Sequence, residues 1–453
     1  AALDTMRAVR ERDAYANLVL PGLLRERGIT GRDAALATEL AYGACRAEGL
    51  LDQILEVCVD RPMDDVDGPV LDVLRLGAYQ LLRTRIPPHA AVAATVDLAR
   101  ATVGSSVAGL VNAVLRRIAE QDERAWVAEV APDRATDPMG YLATATAHPA
   151  WVVRAFGEAL GDTAGEPGGE LEQALLADDE RPAVHLAARP GEVTAAELAA
   201  MTGGTEAPYS PYGVRLPAGA GDPADLGAVR EKLAVVQDEG SQLCALALTR
   251  VELAGPDRRW LDLCAGPGGK AVMLGAVARM SGATLDAVER APHRARLVEA
   301  ATDGLPVTVH TADGRDPGLP AGGFDRVLVD APCSGLGALR RRPEARWRRG
   351  LGDVPELVEL QRELLASALN LVRPGGVVGY VVCTPNMSET ERLVNGILRD
   401  GADGRSDSAA ERLDAREYFP GVPGLGSGPY VQLWPHRHGT DAMFCALLRR
   451  LPT

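Results

Sequence analysis

Residues 260–270, with the sequence WLDLCAGPGGK, run from a short apolar stretch into a glycine-rich turn and then into a helical pattern. Glycines let the backbone come close to a bound ligand. A strand that leads through such a turn into a helix is typical of nucleotide-binding α/β folds. From about residue 241 to residue 453, strand and helix signals alternate. This alternation predicts a doubly wound α/β domain over residues 241–453.

Acidic residues follow the next three predicted strands in chain order. Glu289 ends the strand 284–289, twenty residues beyond Gly269, where a Rossmann-like fold places a carboxylate for ribose hydroxyls. Asp313 follows a third short strand, where an acid could accept a hydrogen bond from an adenine amino group, and Asp330 ends a fourth. The ordered series of one loop and three acids favours S-adenosylmethionine as the cofactor of a Rossmann-like domain.

Two other nucleotide-binding loops fit residues 260–270 less well. A phosphate-binding loop needs Gly at position 264 and Ser or Thr at position 271, where this chain has Cys and Ala. A dinucleotide fingerprint fits loosely, but no residue of the sequence supplies a partner for hydride transfer.

Two cysteines stand at the ends of apolar runs, Cys333 within residues 327–335 and Cys383 within residues 377–385. In an open α/β sheet, the carboxyl ends of the strands line the ligand crevice. Two thiols in that crevice suggest covalent chemistry on an electrophilic carbon, with the second thiol as a helper. The alternative is a pair of small buried hydrophobic residues, because free cysteine is among the most buried residue types.

The composition restricts the class of protein. With 453 residues, 46% hydrophobic and 24% charged, the chain is globular and long enough for two or three domains. The net charge of -14 argues against a generally basic nucleic-acid coat, although a local basic patch would suffice. Seven cysteines form no CxxC pair and no Cys/His cluster, so we expect no metal, no disulfide scaffold and a cytoplasmic location. Without a leader pattern or an apolar run of about 18 residues, no membrane partner is expected.

The part before residue 241 divides into three stretches. Residues 1–120 show helical spacing of apolar residues, which predicts an all-α bundle. Residues 121–150 are acidic and irregular and are predicted to be a linker, whereas residues 151–240 mix helical stretches with short strands and predict a small α+β segment. A separate polar stretch, residues 400–413, is predicted to form a mobile loop. Five arginines near the end of the bundle could face RNA or simply form a solvated face: Arg83, Arg85, Arg100, Arg116 and Arg117.

Three segments resemble the motifs of the RNA 5-methylcytosine methyltransferases: residues 263–270 (LCAGPGGK), 330–337 (DAPCSGLG) and 380–384 (YVVCT). Residues 236–243 are similar to the start of that family's catalytic domain, and residues 439–444 to its final strand. Residues 1–120 resemble the antitermination factor NusB. Together, over nearly the whole chain, these features resemble the RsmB/Sun family of 16S ribosomal RNA methyltransferases.

The sequence departs from the family's pattern at two places. The family usually has Ser-Thr before the second cysteine and Ser after it, where this chain has Val381, Val382 and Thr384. The final motif usually carries Gly-Phe, where this chain has Ala442 and Met443. The cysteine itself is kept, so the departures concern local hydrogen bonding rather than the chemistry.

The resemblance implies an S-adenosylmethionine-dependent methyltransferase domain, preceded by a NusB-like RNA-binding domain and a small α+β RNA-binding segment. The implied reaction is methylation of C5 of a specific cytosine in small-subunit ribosomal RNA, through a covalent bond between a cysteine and C6, by a monomeric enzyme. Cys383 would be the nucleophile and Cys333 would assist product release, while Asp330 would bond the cytosine edge and Lys270 would lie close to the base. The implied cofactor-binding residues are Cys264, Ala265, Gly266, Pro267, Gly268, Gly269, Lys270, Glu289 (ribose), Asp313 (adenine) and Asp330.

An arginine-rich run, residues 339–349 (LRRRPEARWRR), directly follows the Cys333 motif. Its six arginines and the indole of Trp347 predict a surface that contacts RNA phosphates and stacks on a base. The alternative is the solvated start of a helix.

Two other functions fit part of the same pattern. The chemistry could act on transfer RNA or DNA, since DNA cytosine methyltransferases use a Pro-Cys thiol that Pro332 and Cys333 could mimic. The chain could also be a non-catalytic RNA-binding adaptor with a relic methyltransferase domain.

Overall fold

The chain forms two compact units in a computed structural model, which describes residues 1–162, 165–403 and 409–452. The first unit comprises Ala1–Arg181 and Leu339–Gly350, and the second comprises Pro182–Ala338 and Leu351–Thr453. This division differs from the predicted boundaries at 120, 150 and 240. The predicted α+β segment is itself divided, because its helices before residue 182 belong to the first unit and its strands to the second.

The first unit is all-helical, as the apolar periodicity predicts. Buried residues recur at helical spacing, for example Leu50, Leu51, Ile54 and Leu55, which are at most 1% exposed. Close helix packing requires Gly77, where a Cβ would lie 2.7 Å from the Leu115 side chain. The helices are α1 (Ala2–Arg12), α2 (Ala16–Glu26), α3 (Gly31–Cys58), α4 (Gly68–Arg83), α5 (Pro88–Thr102), α6 (Ala108–Ile118), α7 (Glu123–Val130), α8 (Pro138–Ala145), α9 (Ala150–Leu160) and α10 (Glu170–Asp179).

The prediction of an irregular linker at residues 121–150 is wrong, because this stretch contains the helices α7 and α8. The acids that suggested an irregular segment cap these helices: Asp122 accepts a hydrogen bond from the Ala125 N–H and Asp137 one from the Gly140 N–H, both at 2.8 Å. Trp126 of α7 is buried and donates its indole N–H to the Ile118 carbonyl at 3.0 Å. The segment is therefore part of the helical core.

A small antiparallel sheet opens the second unit. Its strand order is β2-β3-β1-β4, and the predicted strand at residues 183–188 corresponds to β1. The elements are β1 (His185–Ala188), α11 (Ala195–Thr202), β2 (Thr205–Glu206), β3 (Gly213–Arg215), α12 (Gly227–Arg230) and β4 (Ala234–Val236).

The larger sheet of the second unit has the order β10-β12-β9-β8-β5-β6-β7, with β11 paired to β12. The strands from β9 to β7 pair in parallel, and β12 is antiparallel to β9. The remaining helices and strands of the chain are β5 (Arg259–Asp262), β6 (Thr284–Val288), β7 (Val307–His310), β8 (Phe324–Asp330), β9 (Val372–Val382), β10 (Ala410–Arg412), β11 (Val431–Gln432) and β12 (Phe444–Arg450), with α13 (Glu239–Arg250), α14 (Gly269–Ser281), α15 (Pro292–Thr302), α16 (Ala345–Arg348), α17 (Val354–Leu371), α18 (Glu391–Ala402) and α19 (Pro435–His438).

The sheet confirms the predicted Rossmann-like fold and defines its crevice. Strand β5 pairs with β6 on one side and with β8 on the other. The direction of strand addition therefore reverses between β5 and β8, and ligands bind at the carboxyl ends of the strands beside such a reversal. Within the predicted mobile loop 400–413, residues 404–408 lie outside the described residues. Residues 400–402 belong to α18 and residues 410–412 to β10.

The arginine-rich run after the Cys333 motif is part of the first unit, where it is anchored by buried contacts. Arg346 is 1% exposed, donates to the Ala147 carbonyl at 2.9 Å and pairs with Asp178 and Asp179, both at 3.2 Å. Trp347 donates its indole N–H to the Cys45 carbonyl at 3.0 Å.

The predicted base-stacking role of Trp347 is therefore wrong. Its ring lies so close to Gly49 that a Cβ there would be 2.2 Å from the ring. On charge alone, a run of six arginines suggests a solvated or RNA-facing surface. The sequence does not show that Arg346 is buried against Asp178, Asp179 and the Ala147 carbonyl. The segment 339–350 is a structural anchor within the first unit.

We expect Arg346→Ala to lower the free energy of unfolding of the first unit by about 3–5 kcal/mol, because Asp178 would keep a buried carboxylate without its cation. Denaturant unfolding of the full chain measures this loss. The control is Arg349→Ala, which removes an exposed arginine of the same run and should change the free energy by less than about 0.5 kcal/mol. If the two variants lose the same free energy of unfolding, Arg346 does not anchor the segment.

Candidate active site

The two cysteines of interest meet at the carboxyl ends of β8 and β9. These strands pair in parallel with Asp330 opposite Val381, which places the loop after β8 beside the loop after β9. The Sγ atoms of Cys333 and Cys383 are 3.4 Å apart. The structure thus brings together two thiols that are fifty residues apart in the sequence.

A buried ion pair lies at the same edge of the sheet. Lys270, in the first turn of α14, is 8% exposed, and its Nζ is 2.8 Å from Oδ2 of Asp330 at the end of β8. Burial lowers the pKa of Lys270, but the Asp330 carboxylate more than offsets this, so the pKa is raised overall. Lys270 is therefore a cation at neutral pH, held at the strand end that carries Cys333.

The environment keeps Cys333 protonated. The hydrogen-bond contact with Cys383 raises the pKa of the Cys333 thiol well above its ordinary value, and burial raises it further. A thiol with a raised pKa is a poor attacking group at neutral pH, because the thiolate is the nucleophile. Cys264, in the glycine loop, is also a thiol of high pKa because it is buried, so a structural role suits it better than a reactive one.

The glycine loop folds around Glu289. Oε2 of Glu289 accepts the Gly266 N–H at 3.1 Å, and Oε1 accepts the Ala291 N–H at 2.8 Å. A Cβ at position 266 would lie 2.1 Å from this carboxylate, so a larger residue there would displace the Glu289 side chain. Gly268 has φ 117°, a conformation that favours glycine as well. This loop and its acid have the form expected of a cradle for a nucleoside.

Asp313 follows β7 as an ionised carboxylate held by Arg315. Arg315 Nη2 is 2.8 Å from Oδ2 of Asp313, and Nε is 3.0 Å from Oδ1. This side-chain bonding lowers the pKa of Asp313 to about 2. Arg315 also pairs with Glu363 at 3.0 Å. Sequence reasoning missed Arg315, although its position two residues after the acid was a local signal.

Asp262, the last residue of β5, is a second residue that sequence reasoning missed. It is fully buried, and within the described residues no side chain donates a hydrogen bond to its carboxylate. Burial and the charge of Asp330 raise its pKa from 3.8 to about 7. Its place directly before the glycine loop was visible in the sequence, but its burial depends on the strands on either side of β5.

The pKa of Asp262 predicts a pH-dependent stability. Because the folded-state pKa is about 7 and the ordinary value is 3.8, the folded state disfavours the carboxylate, and stability is lost as the pH rises from 3.8 to about 7. We expect Asp262→Asn to reduce the fall in melting temperature between pH 5 and pH 8.5. The control is Asp316→Asn, which changes an exposed acid and should show the same fall in melting temperature as the wild type. If the melting temperature falls equally with pH in the wild type and in Asp262→Asn, the Asp262 carboxyl is not a source of the pH dependence.

The arginines predicted to face RNA divide into two kinds. Arg83 is 15% exposed and pairs with Glu123 at 2.8 Å and Asp179 at 2.7 Å, so it belongs to the packing of the first unit. The others have exposed side chains, with Arg100 paired to Asp97. The exposed members of the set are Arg85, Arg100, Arg116 and Arg117.

Neither a metal site nor a membrane-spanning helix is found in the described residues. No group of three or more His, Cys, Asp or Glu side chains in residues 1–162, 165–403 and 409–452 is arranged to hold a metal ion. In the same part of the chain, no helix combines the length and apolarity needed to cross a membrane.

Comparison with known proteins identifies the family. Residues 251–449 match the family model described as 16S rRNA methyltransferase RsmB/F, and residues 1–120 match that of the NusB family. The chain is 57% identical to Rv1407 of Mycobacterium tuberculosis over all of its length and 96% of that protein. It is 31% identical to ribosomal RNA small subunit methyltransferase B of Escherichia coli O6:K15:H31, over 93% of the chain and 94% of that enzyme.

A solved structure has the same fold along nearly the whole chain. The crystal structure of PH0851 superimposes with a TM-score of 0.76 over 99% of this chain and 96% of that one, at 20% sequence identity. The match of fold and the full-length sequence relatives agree. The chain belongs to the RsmB/F family of S-adenosylmethionine-dependent 16S rRNA methyltransferases.

Proposed function

We propose that this protein methylates C5 of a specific cytosine in 16S ribosomal RNA through a covalent bond between Cys383 and C6 of the base. The observation that carries the proposal is the pair of thiols, Cys333 and Cys383, with Sγ atoms 3.4 Å apart beside the Lys270–Asp330 ion pair. A methyltransferase that acts on an exocyclic nitrogen or a ribose hydroxyl has no need for two thiols at its reaction centre.

The chemistry explains the need for a nucleophile. C5 of cytosine is itself a poor nucleophile, but addition of a thiolate at C6 turns the ring into an enamine whose C5 is electron-rich. S-adenosylmethionine supplies the electrophilic methyl group when it is bound. After methyl transfer, a base removes the C5 proton and the thiolate leaves C6, which restores the aromatic ring.

The two thiols are assigned different roles. Cys333 has a pKa raised by its contact with Cys383 and by burial, so it stays protonated at neutral pH and is a poor attacking group. The motif at residues 380–384 resembles the one that carries the nucleophile in the family, so we assign the attack on C6 to Cys383. In this proposal Asp330 bonds the cytosine edge, and the Lys270 ammonium, 2.8 Å from the Asp330 carboxylate, provides positive charge where the ring gains electron density.

The residues that would hold the cofactor lie in and around the glycine loop, residues 264–270. The loop residues Cys264 to Lys270 would wrap the methionine end, Glu289 the ribose hydroxyls and Asp313 the adenine amino group, with Asp330 at the edge next to the base. The hydrogen bond from the Gly266 N–H to Glu289 and the ionised state of Asp313 support this fit, because both carboxylates can accept hydrogen bonds from a nucleoside.

The RNA must present its target cytosine outside the base stack, because a stacked base cannot enter a pocket at the strand ends. With a net charge of -14, phosphate contacts depend on local patches. The exposed arginines Arg85, Arg116 and Arg117 of the NusB-like domain supply one such patch.

Bisulfite sequencing of ribosomal RNA from a deletion strain tests the proposal. We expect one cytosine of the 16S RNA to lose its resistance to conversion, and complementation to restore it. An unchanged 16S pattern together with a lost signal in transfer RNA would favour the alternative substrate. Tight RNA binding without binding of S-adenosylmethionine in calorimetry would favour an adaptor.

A further inference from the structure

A buried carboxylate lies between the two cysteine loops and has no part in the chemistry above. Glu389 is fully buried in the loop between β9 and α18. Its Oε1 accepts the Ser334 N–H at 2.7 Å, and its Oε2 accepts the Ser334 hydroxyl at 2.5 Å and lies 3.4 Å from the Thr384 hydroxyl. Ser334 follows Cys333 and Thr384 follows Cys383. One carboxylate therefore bonds the residue after each thiol.

Further hydrogen bonds extend this arrangement to the residue before Cys333. Gln361 of α17 donates both to Oε1 of Glu389 at 3.0 Å and to the Pro332 carbonyl at 2.8 Å. The hydroxyls of Ser334 and Thr384 are 2.9 Å apart. The backbone is thus held on both sides of Cys333, and a carboxylate, which only accepts, suits the donors that converge there.

The cost of burying this charge points to a role other than stability. Within the described residues, no Arg, Lys or His nitrogen forms an ion pair with Glu389, and burying an unpaired charge costs several kcal/mol unless hydrogen bonds compensate. A neutral side chain would fill the same space with a smaller desolvation free energy. We therefore infer that the negative charge of Glu389 has a functional role near the thiols.

We propose that Glu389 is a positioning residue that fixes the two thiols against each other and maintains their different reactivities. The catalytic meaning of this inference rests on the proposed function. The charge of Glu389 is one of the causes that raise the pKa of Cys333, after the contact with Cys383 and burial. Glu389 therefore acts on Cys333 both through the backbone and through its charge.

The first test measures the reactivity of each thiol without RNA. Wild-type protein is alkylated with iodoacetamide over a range of pH, and the modification of Cys333 and of Cys383 is quantified by peptide mass spectrometry. In Glu389→Gln we expect alkylation of Cys333 at pH 8 to rise by about threefold or more, because the thiol loses a neighbouring negative charge. Glu391→Gln, two residues away and partly exposed, is the control and should keep the wild-type pattern.

The second test measures methyl transfer to small-subunit RNA. We expect kcat to fall by about 10–100-fold in Glu389→Gln with an unchanged KM for RNA, since misplaced reacting groups affect the chemical step. Glu389→Asp keeps the charge on a side chain one methylene shorter, so its kcat should also fall. If Glu389→Gln does not fold, the double variant Ser334→Ala with Thr384→Val removes the hydroxyl contacts and should show the same loss of kcat.

Each outcome decides the inference. Wild-type kcat and wild-type alkylation of Cys333 in Glu389→Gln would overturn it, as would full activity of Glu389→Asp. If the wild-type protein transfers no methyl group to small-subunit RNA, the proposed function fails, yet the alkylation pattern still shows whether Glu389 controls the thiols.

Discussion

Replacing Cys383 by Ala is expected to abolish methyl transfer to small-subunit RNA, with a rate reduction of at least ~10³-fold. The reason is that the remaining thiol, Cys333, is a poor substitute for the lost nucleophile, because its burial and the charge of Glu389 still raise its pKa in this variant. Transfer of a radiolabelled methyl group measures the rate. Substantial activity in Cys383→Ala would contradict the assignment of the nucleophile.

A matched control separates this effect from a general loss of a cysteine. Cys58→Ala removes a buried thiol at the end of α3 in the first unit, remote in sequence from both motifs. It should retain activity close to that of the wild type. Cys383→Ala should also keep its affinity for S-adenosylmethionine, because the predicted cofactor residues are unchanged.

Replacing Cys333 by Ala is expected to trap the protein on its RNA. If Cys333 assists release, its loss leaves the bond between Cys383 and C6 in place after methyl transfer. A covalent complex that survives denaturing electrophoresis should then accumulate, and it should disappear in the double variant with Cys383→Ala. The measurement is a gel with labelled RNA.

The opposite pattern would exchange the two roles. A stable adduct in Cys383→Ala, with no reaction in Cys333→Ala, would make the Pro-Cys thiol the nucleophile, as in the DNA enzymes that Pro332 and Cys333 resemble. The raised pKa of Cys333 makes this the less expected result.

The sequence predicts where the candidate site lies because its signals are local, and the roles of its residues stay predictions. Asp330 ends β8, Cys333 and Cys383 follow β8 and β9, and Lys270 follows the glycine loop after β5. Parallel strands carry such positions to one edge of the sheet. Alternation of strand and helix signals then predicted the Rossmann-like fold, which the structure and the comparisons confirm. Both inferences need only the order of elements along the chain.

The features that were missed depend on contacts between distant residues. Arg346 is buried against Asp178, 168 residues away, and Trp347 bonds Cys45, 302 residues away, so charge and aromaticity alone suggested an RNA surface. Likewise, the acids at 122 and 137 suggested a linker although they cap helices. The burial of Glu389 and Asp262 follows from neighbouring strands and loops rather than from their own sequence.

The central claim is the identity of the methylated atom, and nucleoside analysis of the product tests it most directly. Purified protein is incubated with small-subunit RNA and methyl-labelled S-adenosylmethionine, and the RNA is digested to nucleosides and separated by chromatography. We predict that the label elutes as 5-methylcytidine from one site in the 16S RNA and is absent with Cys383→Ala. Label in any other nucleoside would contradict the account.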